Sequence, residues 1–280
     1  KSAFGKYLLY VDKNLSTEYG VENGLNVDIV SGADYQKDMD KYGVVFKSPG
    51  VVLEHVPSEF ICNIVSQTEL FVQRYKNQII GITGTNGKTT TVTLSYNLFK
   101  SLGYECGLIS TIVNKIGDRE IASTHTTPDS LSLNKLLNEM VESGCEYVFM
   151  EVSSHAVDQH RIWGLTYFGG VFSNITHDHL DYHKTFSNYI NAKKGFFDSL
   201  NEKAFSLTNI DDRNGEKMLE STKSRKFTYS LSRMADYNAK VIENSFFGLL
   251  LNINGKEVST QLVGQFNAYN LLAIYSIAEL

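Results

Sequence analysis

Between residues 84 and 90 the chain reads Gly84-Thr85-Asn86-Gly87-Lys88-Thr89-Thr90, and these residue types in this order suit a phosphate chain. Glycines let the backbone curl until N–H groups face one point, and a helix starting there adds the positive end of its dipole. A lysine at the rim reaches the β- and γ-phosphates, and the next hydroxyl reaches a magnesium ion. Lys88 and Thr89 stand in those places. The usual loop has a glycine five residues before Gly87, where this chain has Ile82, so the spacing is a variant with Gly84 as its first useful glycine. A glycine-rich turn with no ligand is the bland alternative, and Gly-Lys-Thr directly after a buried strand argues against it.

A second set of reactive side chains follows. Glu151 closes the apolar run Tyr147–Val152, at the strand end where open α/β sheets collect ligands. Five of the seven histidines, His155, His160, His177, His179 and His183, fall between 155 and 183. A carboxylate and an imidazole converging on the phosphate loop would complete a magnesium site. Histidines that cap loops and helix ends are the competing reading, and it is preferred for His160 and His177. His177-x-His179-x-Asp181 also resembles the opening of a zinc-hydrolase signature, but Tyr182 puts His183 one residue out of place, and such enzymes have no use for a phosphate loop.

These residues need a scaffold that brings strand ends together. Gln78–Thr83 is a short, β-branched, apolar run that reads as a buried strand. After the loop, Val92, Leu94, Leu98, Phe99 and Leu102 recur at helical spacing until Gly103. The alternation continues with a helix over Leu131–Met140, strands at Tyr147–Val152 and Val171–Ile175, a helix near Phe186–Leu200 and a strand at Ala204–Thr208. That order predicts a doubly wound, mostly parallel α/β sheet over 77–280. Val241–Val258 alternates around Asn254-Gly255, a hairpin signal, so a small antiparallel appendage is expected there. A separate block, 1–76, carries apolar runs at Tyr7–Val11 and Val44–Phe46, the latter followed by the turn Ser48-Pro49-Gly50.

The composition narrows the setting. The 280 residues are 42% hydrophobic and 20% charged, which is ordinary for a globular chain and excludes disorder, collagen and coiled coil. A net charge of −5 provides no general attraction for nucleic acid or anionic lipid, so phosphate chemistry must be local. Three scattered cysteines, Cys62, Cys106 and Cys145, fit neither a disulfide framework nor a metal site and suggest a reducing compartment. No apolar run approaches membrane-spanning length and no signal pattern opens the chain, so a cytoplasmic protein, a monomer, is expected. The opening Lys1-Ser2-Ala3 lies inside an element, so an N-terminal piece is expected to be missing.

Four segments together carry a family resemblance: Gly84–Thr90; Thr126-Thr127-Pro128-Asp129; Glu151-Val152-Ser153-Ser154-His155-Ala156 with Gln159-His160-Arg161; and Asn174–His183 with Tyr189-Ile190-Asn191-Ala192-Lys193. In this combination the chain resembles the Mur ligases, ATP-dependent amino-acid ligases of peptidoglycan precursor synthesis, over about 77–280. Within them it looks most like the MurE type. The resemblance implies an acyl-phosphate route that adds the third amino acid to UDP-MurNAc-L-Ala-D-Glu, with ATP and two magnesium ions. It implies that Lys193 is carbamylated and, with Thr89, Glu151 and His179, binds magnesium, and that Lys88 joins them in catalysis. Thr126, Thr127, Ser153, Gln159 and Arg161 would hold the muramoyl-peptide, and Asn267 and Asn270, with the Asn209–Asp212 stretch, would lie near the nucleotide. The 1–76 block is Rossmann-like in expectation and looks more like the MurD type, the D-glutamate ligases, in which Ser48, Pro49 and Gly50 would match a turn that helps bind UDP. The family's C-terminal domain, which helps choose the amino acid, has no counterpart in these residues. Two alternatives stay open: D-glutamate ligation, and a nucleotide- and UDP-sugar-binding module without activity.

Overall fold

The computed structural model describes residues 78–280 in full and, before them, three short backbone strands. The chain divides into two compact units, Lys1–Arg74 with Trp163–Leu165, and Tyr75–Ile162 with Thr166–Leu280. In the first, β1 (Tyr7–Leu9), β2 (Val44–Lys47) and β3 (Ile64–Ser66) form a parallel sheet in that order. Ser48, Pro49, Gly50 and Cys62 lie outside the described residues.

The second unit is built on one sheet of eleven strands. Its centre is parallel and runs β11 (Arg225–Ser230), β10 (Phe205–Asn209), β9 (Gly169–Phe172), β4 (Gln78–Thr83), β8 (Tyr147–Glu151), β5 (Cys106–Ile109). The connections pass through helices: α1 (Lys88–Ser101), α2 (Ser130–Glu142), α3 (Ser154–Asp158), α4 (Leu180–His183), α5 (Phe186–Asp198) and α6 (Gly215–Met218), with α7 (Gln265–Glu279) closing the described chain. Both faces of the central strands are therefore covered, which explains their unbroken apolar character.

Alternation in β4 shows how the layers form. Ile80 and Ile82 pack with Val92, Tyr96 and Phe99 of α1 and with Ala268, Leu272 and Ile277 of α7. Gly81 faces the other way, where a Cβ would sit 2.6 Å from the Phe196 ring of α5. Glycine there makes room for an aromatic on the second face. The same reason corrects one boundary. Strand β9 starts at Gly169, ahead of the predicted Val171, because Gly169 and Gly170 are strand residues under Phe205 and under Leu200 and Phe196.

Antiparallel strands extend the sheet at both edges. On one side β12 (Tyr237–Ser245) joins β11 in parallel and, with β13 (Gly248–Ile253) and β14 (Lys256–Thr260), forms the expected appendage. Asn254 and Gly255 turn the last hairpin with φ of 51° and 81°, both left-handed. On the other, β6 (Val113–Ile116) and β7 (Arg119–Ala122) fold back on β5.

Candidate functional site

Strand β4 ends at Thr83 and α1 starts at Lys88, so four residues must reverse the chain. Gly87 does this at φ 83°, and a Cβ there would lie 2.5 Å from Asn270 Oδ1. Both conformation and space thus demand glycine. The residues after β9 brace the loop. Thr85 N donates to Asn174 O (2.9 Å), Asn86 N donates to Asn174 Oδ1 (2.9 Å), and Asn174 Nδ2 donates to Asn86 O (3.0 Å). No side chain caps α1, which leaves its first N–H groups open to an anion. Lys88 Nζ lies inside the loop, on Gly84 O (2.9 Å) and Thr85 O (3.1 Å). Burial lowers its pKa, while the charges of Glu151 and Asp178 oppose that.

Glu151 is buried at the end of β8, and four donors hold its backbone and carboxylate. Thr89 Oγ1 donates to Oε1 (2.8 Å), as does Thr111 N (2.8 Å). Thr111 Oγ1 reaches Oε2 (3.1 Å), and Thr127 Oγ1 donates to the Glu151 carbonyl (2.8 Å). The helix that follows the phosphate loop and the acidic end of β8 are therefore joined by one hydrogen bond.

Lys193, on α5, is 1% exposed. Its Nζ donates to Gly84 O (3.0 Å) and Thr83 Oγ1 (3.3 Å) and lies 4.8 Å from the centre of the Tyr189 ring. Burial pushes its pKa well below the ordinary lysine range, and the charge of Lys88 adds to that. Tyr189 links three parts of the site: its OH is 3.1 Å from Thr85 Oγ1, its ring underlies Lys193, and its edge faces His179 at 5.8 Å between centroids. His179, at φ 53°, also stands edge-on to His155 at 5.0 Å. His177 instead stacks on Phe186 at 4.2 Å, apart from that group, and the zinc spacing finds no support.

The expected acceptor-binding residues form a chain of contacts beside α3. Ser153 Oγ accepts from Ala156 N and so caps α3 (3.1 Å). Arg161 Nη1 donates to Thr127 O (2.9 Å) and its Nε to Gln159 Oε1 (2.8 Å). Gln159 Nε2 donates in turn to Tyr182 OH (3.1 Å), which donates to Asp158 Oδ2 (2.7 Å). Thr127 is fully buried, its hydroxyl donating to Glu151 O and accepting from Ser153 N (3.1 Å), so it braces the loop that presents Thr126. On the other side of the phosphate loop, a cleft of about 620 Å³ is lined by Gly87, Thr90, Asp211, Phe266, Tyr269 and Asn270 among others. Asn270 Nδ2 donates to Asn267 Oδ1 (3.1 Å), and Asn267 Nδ2 donates to Val263 O (2.8 Å). Burial would raise the pKa of Asp211, but hydroxyl donors from Ser232 and Ser230 with the Leu231 N–H outweigh it and hold the carboxyl low.

Thr111, Tyr189, Tyr182 and Phe266 escaped the sequence reading. Tyr189 alone had a usable signal, its place one helical turn before Lys193, which puts both on one face of α5. As hard oxygen donors, Thr89 and Glu151 suit magnesium and already touch each other. An ammonium at Lys193 does not suit a cation, whereas the neutral amine that its burial favours is open to a modification that would add oxygen donors. Among the described residues no three His, Cys, Asp or Glu side chains converge on one point.

Residues 82–278 match the family model for the Mur ligase middle domain. The chain belongs to the Mur ligase family. Its similarity to two curated relatives is substantial. It is 51% identical over 242 residues to a UDP-N-acetylmuramoyl-L-alanyl-D-glutamate–2,6-diaminopimelate ligase of Phocaeicola vulgatus, covering 81% of the chain and 50% of the relative. It is 48% identical over 263 residues to the ligase of the same name from Parabacteroides distasonis, covering 89% and 53%. A solved structure of a ligase with that name superposes with a TM-score of 0.67 at 30% identity, over 84% of this chain and 51% of that one. The chain thus spans about half the length of the curated relatives it matches. Mur ligases are in general ATP- and magnesium-dependent.

Proposed function

We propose that this chain is the nucleotide- and acceptor-binding part of a ligase that uses ATP to join 2,6-diaminopimelate to UDP-MurNAc-L-Ala-D-Glu in the cytoplasm. The observation that carries the reading is the Thr89–Glu151 hydrogen bond, which ties the phosphate loop to a buried carboxylate, with Lys88 and Lys193 on the shared carbonyl of Gly84. A carboxylate is a poor electrophile, and bound ATP supplies the phosphoryl group that makes it an acyl phosphate open to an amine. At about 4 Å, like unit charges repel by about 4 kcal/mol at an effective dielectric near 20, so an acceptor carboxylate approaches a triphosphate only if cations intervene. Lys88 and the first turn of α1 would hold the phosphates, and Thr89, Glu151, His179 and a carbamylated Lys193 would hold magnesium, which when bound would offset the remaining charge. Arg161, whose guanidinium is held by Gln159 and the Thr127 carbonyl, would turn its remaining N–H donors to an acceptor carboxylate, with Thr126 and Ser153 as further substrate contacts. The cleft at Asn267 and Asn270 takes the rest of the nucleotide.

The identity of the added amino acid rests on the names of the relatives, of whose length the chain spans about half. The D-glutamate reading is weakened because relatives with the diaminopimelate-ligase name match 81% and 89% of the chain, which carries the likeness into 1–76. The test is phosphate release from ATP by the full-length protein. Release is expected with UDP-MurNAc-L-Ala-D-Glu plus diaminopimelate. Release only with UDP-MurNAc-L-Ala plus D-glutamate would move the step, and binding without release would leave a binding module. Incubation with ¹³C-bicarbonate should give a carbamate NMR signal that Lys193→Met abolishes.

A further inference from the structure

We propose that Thr111 is a positioning residue that holds the Glu151 carboxylate for a divalent cation and couples it to the acceptor loop at Thr126. The inference rests on the proposed ligase reading. Its ground is geometric. Thr111 contacts both oxygens of one buried carboxylate, its N–H to Oε1 at 2.8 Å and its hydroxyl to Oε2 at 3.1 Å. A side chain pinned at both oxygens has little freedom to rotate, and Glu151 receives its remaining contact from Thr89 of the phosphate loop.

The hydroxyl of Thr111 lies equally close, 3.1 Å, to Thr126 Oγ1. One hydroxyl has one proton, so it cannot donate to both. The carboxylate is the stronger acceptor, and a charge-assisted bond takes the proton of Thr111. Thr126 Oγ1 competes with Glu151 Oε2 for that proton, so one hydroxyl links the acceptor loop to the carboxylate. Glu151 also accepts from Thr89, so one carboxylate reports to both the acceptor loop and the phosphate loop. The backbone around Thr111 is fixed for the purpose. Ser110 Oγ donates to Val113 O (2.6 Å), Ser110 N donates to Asn114 Oδ1 (3.2 Å), and Ser123 Oγ donates to Ser110 O (2.7 Å). Thr111 itself is exposed, as is its neighbour Ile112, so no core packing requires a threonine here. If the acceptor engages Thr126 Oγ1, that competition ends and the Thr111 proton goes to Glu151 Oε2 alone, which shifts the hold on Glu151.

Groups that orient a metal ligand typically contribute about 10- to 100-fold in metal affinity. The experiment titrates Mn²⁺ into full-length protein with ADP and follows free Mn²⁺ by electron paramagnetic resonance, for wild type, Thr111→Val and Thr111→Ser. Valine keeps the shape and the backbone N–H but removes the hydroxyl, and serine restores it. The expected result is Mn²⁺ binding weakened about tenfold by valine and restored by serine. In the same series, adding UDP-MurNAc-L-Ala-D-Glu should alter Mn²⁺ affinity in wild type and in Thr111→Ser but not in Thr111→Val. Equal affinity and equal acceptor response in all three proteins would overturn the proposal. Weak binding in both variants would also overturn it, since the effect would not track the hydroxyl. Wild type that binds no Mn²⁺ with ADP would instead strike the ligase reading itself, and urea midpoints without metal show that each variant is folded.

Discussion

Replacing Lys193 with methionine separates the cost of its charge from the value of its contacts. The amine is 1% exposed, and its two bonds, to Gly84 O at 3.0 Å and Thr83 Oγ1 at 3.3 Å, involve neutral partners. Loss of these bonds costs about 1 kcal/mol each, and the Gly84 carbonyl keeps its bond from Lys88. Burial lowers the folded pKa well below the unfolded 10.5. Between those two values the unfolded chain binds the extra proton, so wild-type stability falls as pH falls through the window and levels off below the folded pKa. Methionine has no such dependence. At and above pH 10.5 Lys193→Met should therefore be less stable than wild type by about 1–2 kcal/mol. Each pH unit below that removes about 1.4 kcal/mol of the deficit, so within about two units the variant overtakes the wild type. The assay is urea unfolding of both proteins across pH in carbon-dioxide-free buffer without magnesium. A stability difference that stays constant with pH would refute a buried, largely neutral amine, and with it the chemical basis for modification.

Three further outcomes follow from the geometry. Gly87→Ala forces a Cβ into a φ of 83° and to within 2.5 Å of Asn270 Oδ1, so it should lose about 1–3 kcal/mol in urea unfolding and weaken ATP binding by calorimetry. Gly103→Ala, at φ 97° with nothing within 4 Å, should lose stability but leave ATP affinity unchanged. Asp129→Ala removes the cap that accepts from Leu131 N and Ser132 N and should cost about 1 kcal/mol. Because those bonds lower the Asp129 pKa, their contribution is present above 3.8 and lost as pH falls through the folded value, so wild type and variant should converge in acid.

The parallel centre of the sheet could be read in advance because its strands are short apolar runs separated by helical periodicity. Gln78–Thr83 matches the observed β4 residue for residue. The Asn254-Gly255 turn was visible because two left-handed residues in sequence have few other uses. The β6–β7 hairpin was not, since Val113–Ile116 is half polar and Arg119–Ala122 is mostly exposed. The phosphate loop and Glu151 were legible because their chemistry is local to one motif. The hold on Glu151 by Thr111 was not: forty residues separate them, and only the pairing of β5 with β8 brings them together. Thr127 shows the converse limit. Its motif marks it as important, but burial shows that its hydroxyl serves the protein's own backbone.

The carbonyl of Gly84 accepts from both Lys88 and Lys193. One oxygen thus holds two amines that repel each other when both carry a proton, so a proton on one disfavours a proton on the other. An anion bound in the loop would draw Lys88 off Gly84 O and toward itself. The oxygen it leaves is then free to serve Lys193 alone. Filling the loop with phosphate would in this way loosen the electrostatic penalty on the deeper amine, so the order in which ligands arrive affects how readily that nitrogen accepts or keeps a modifying group.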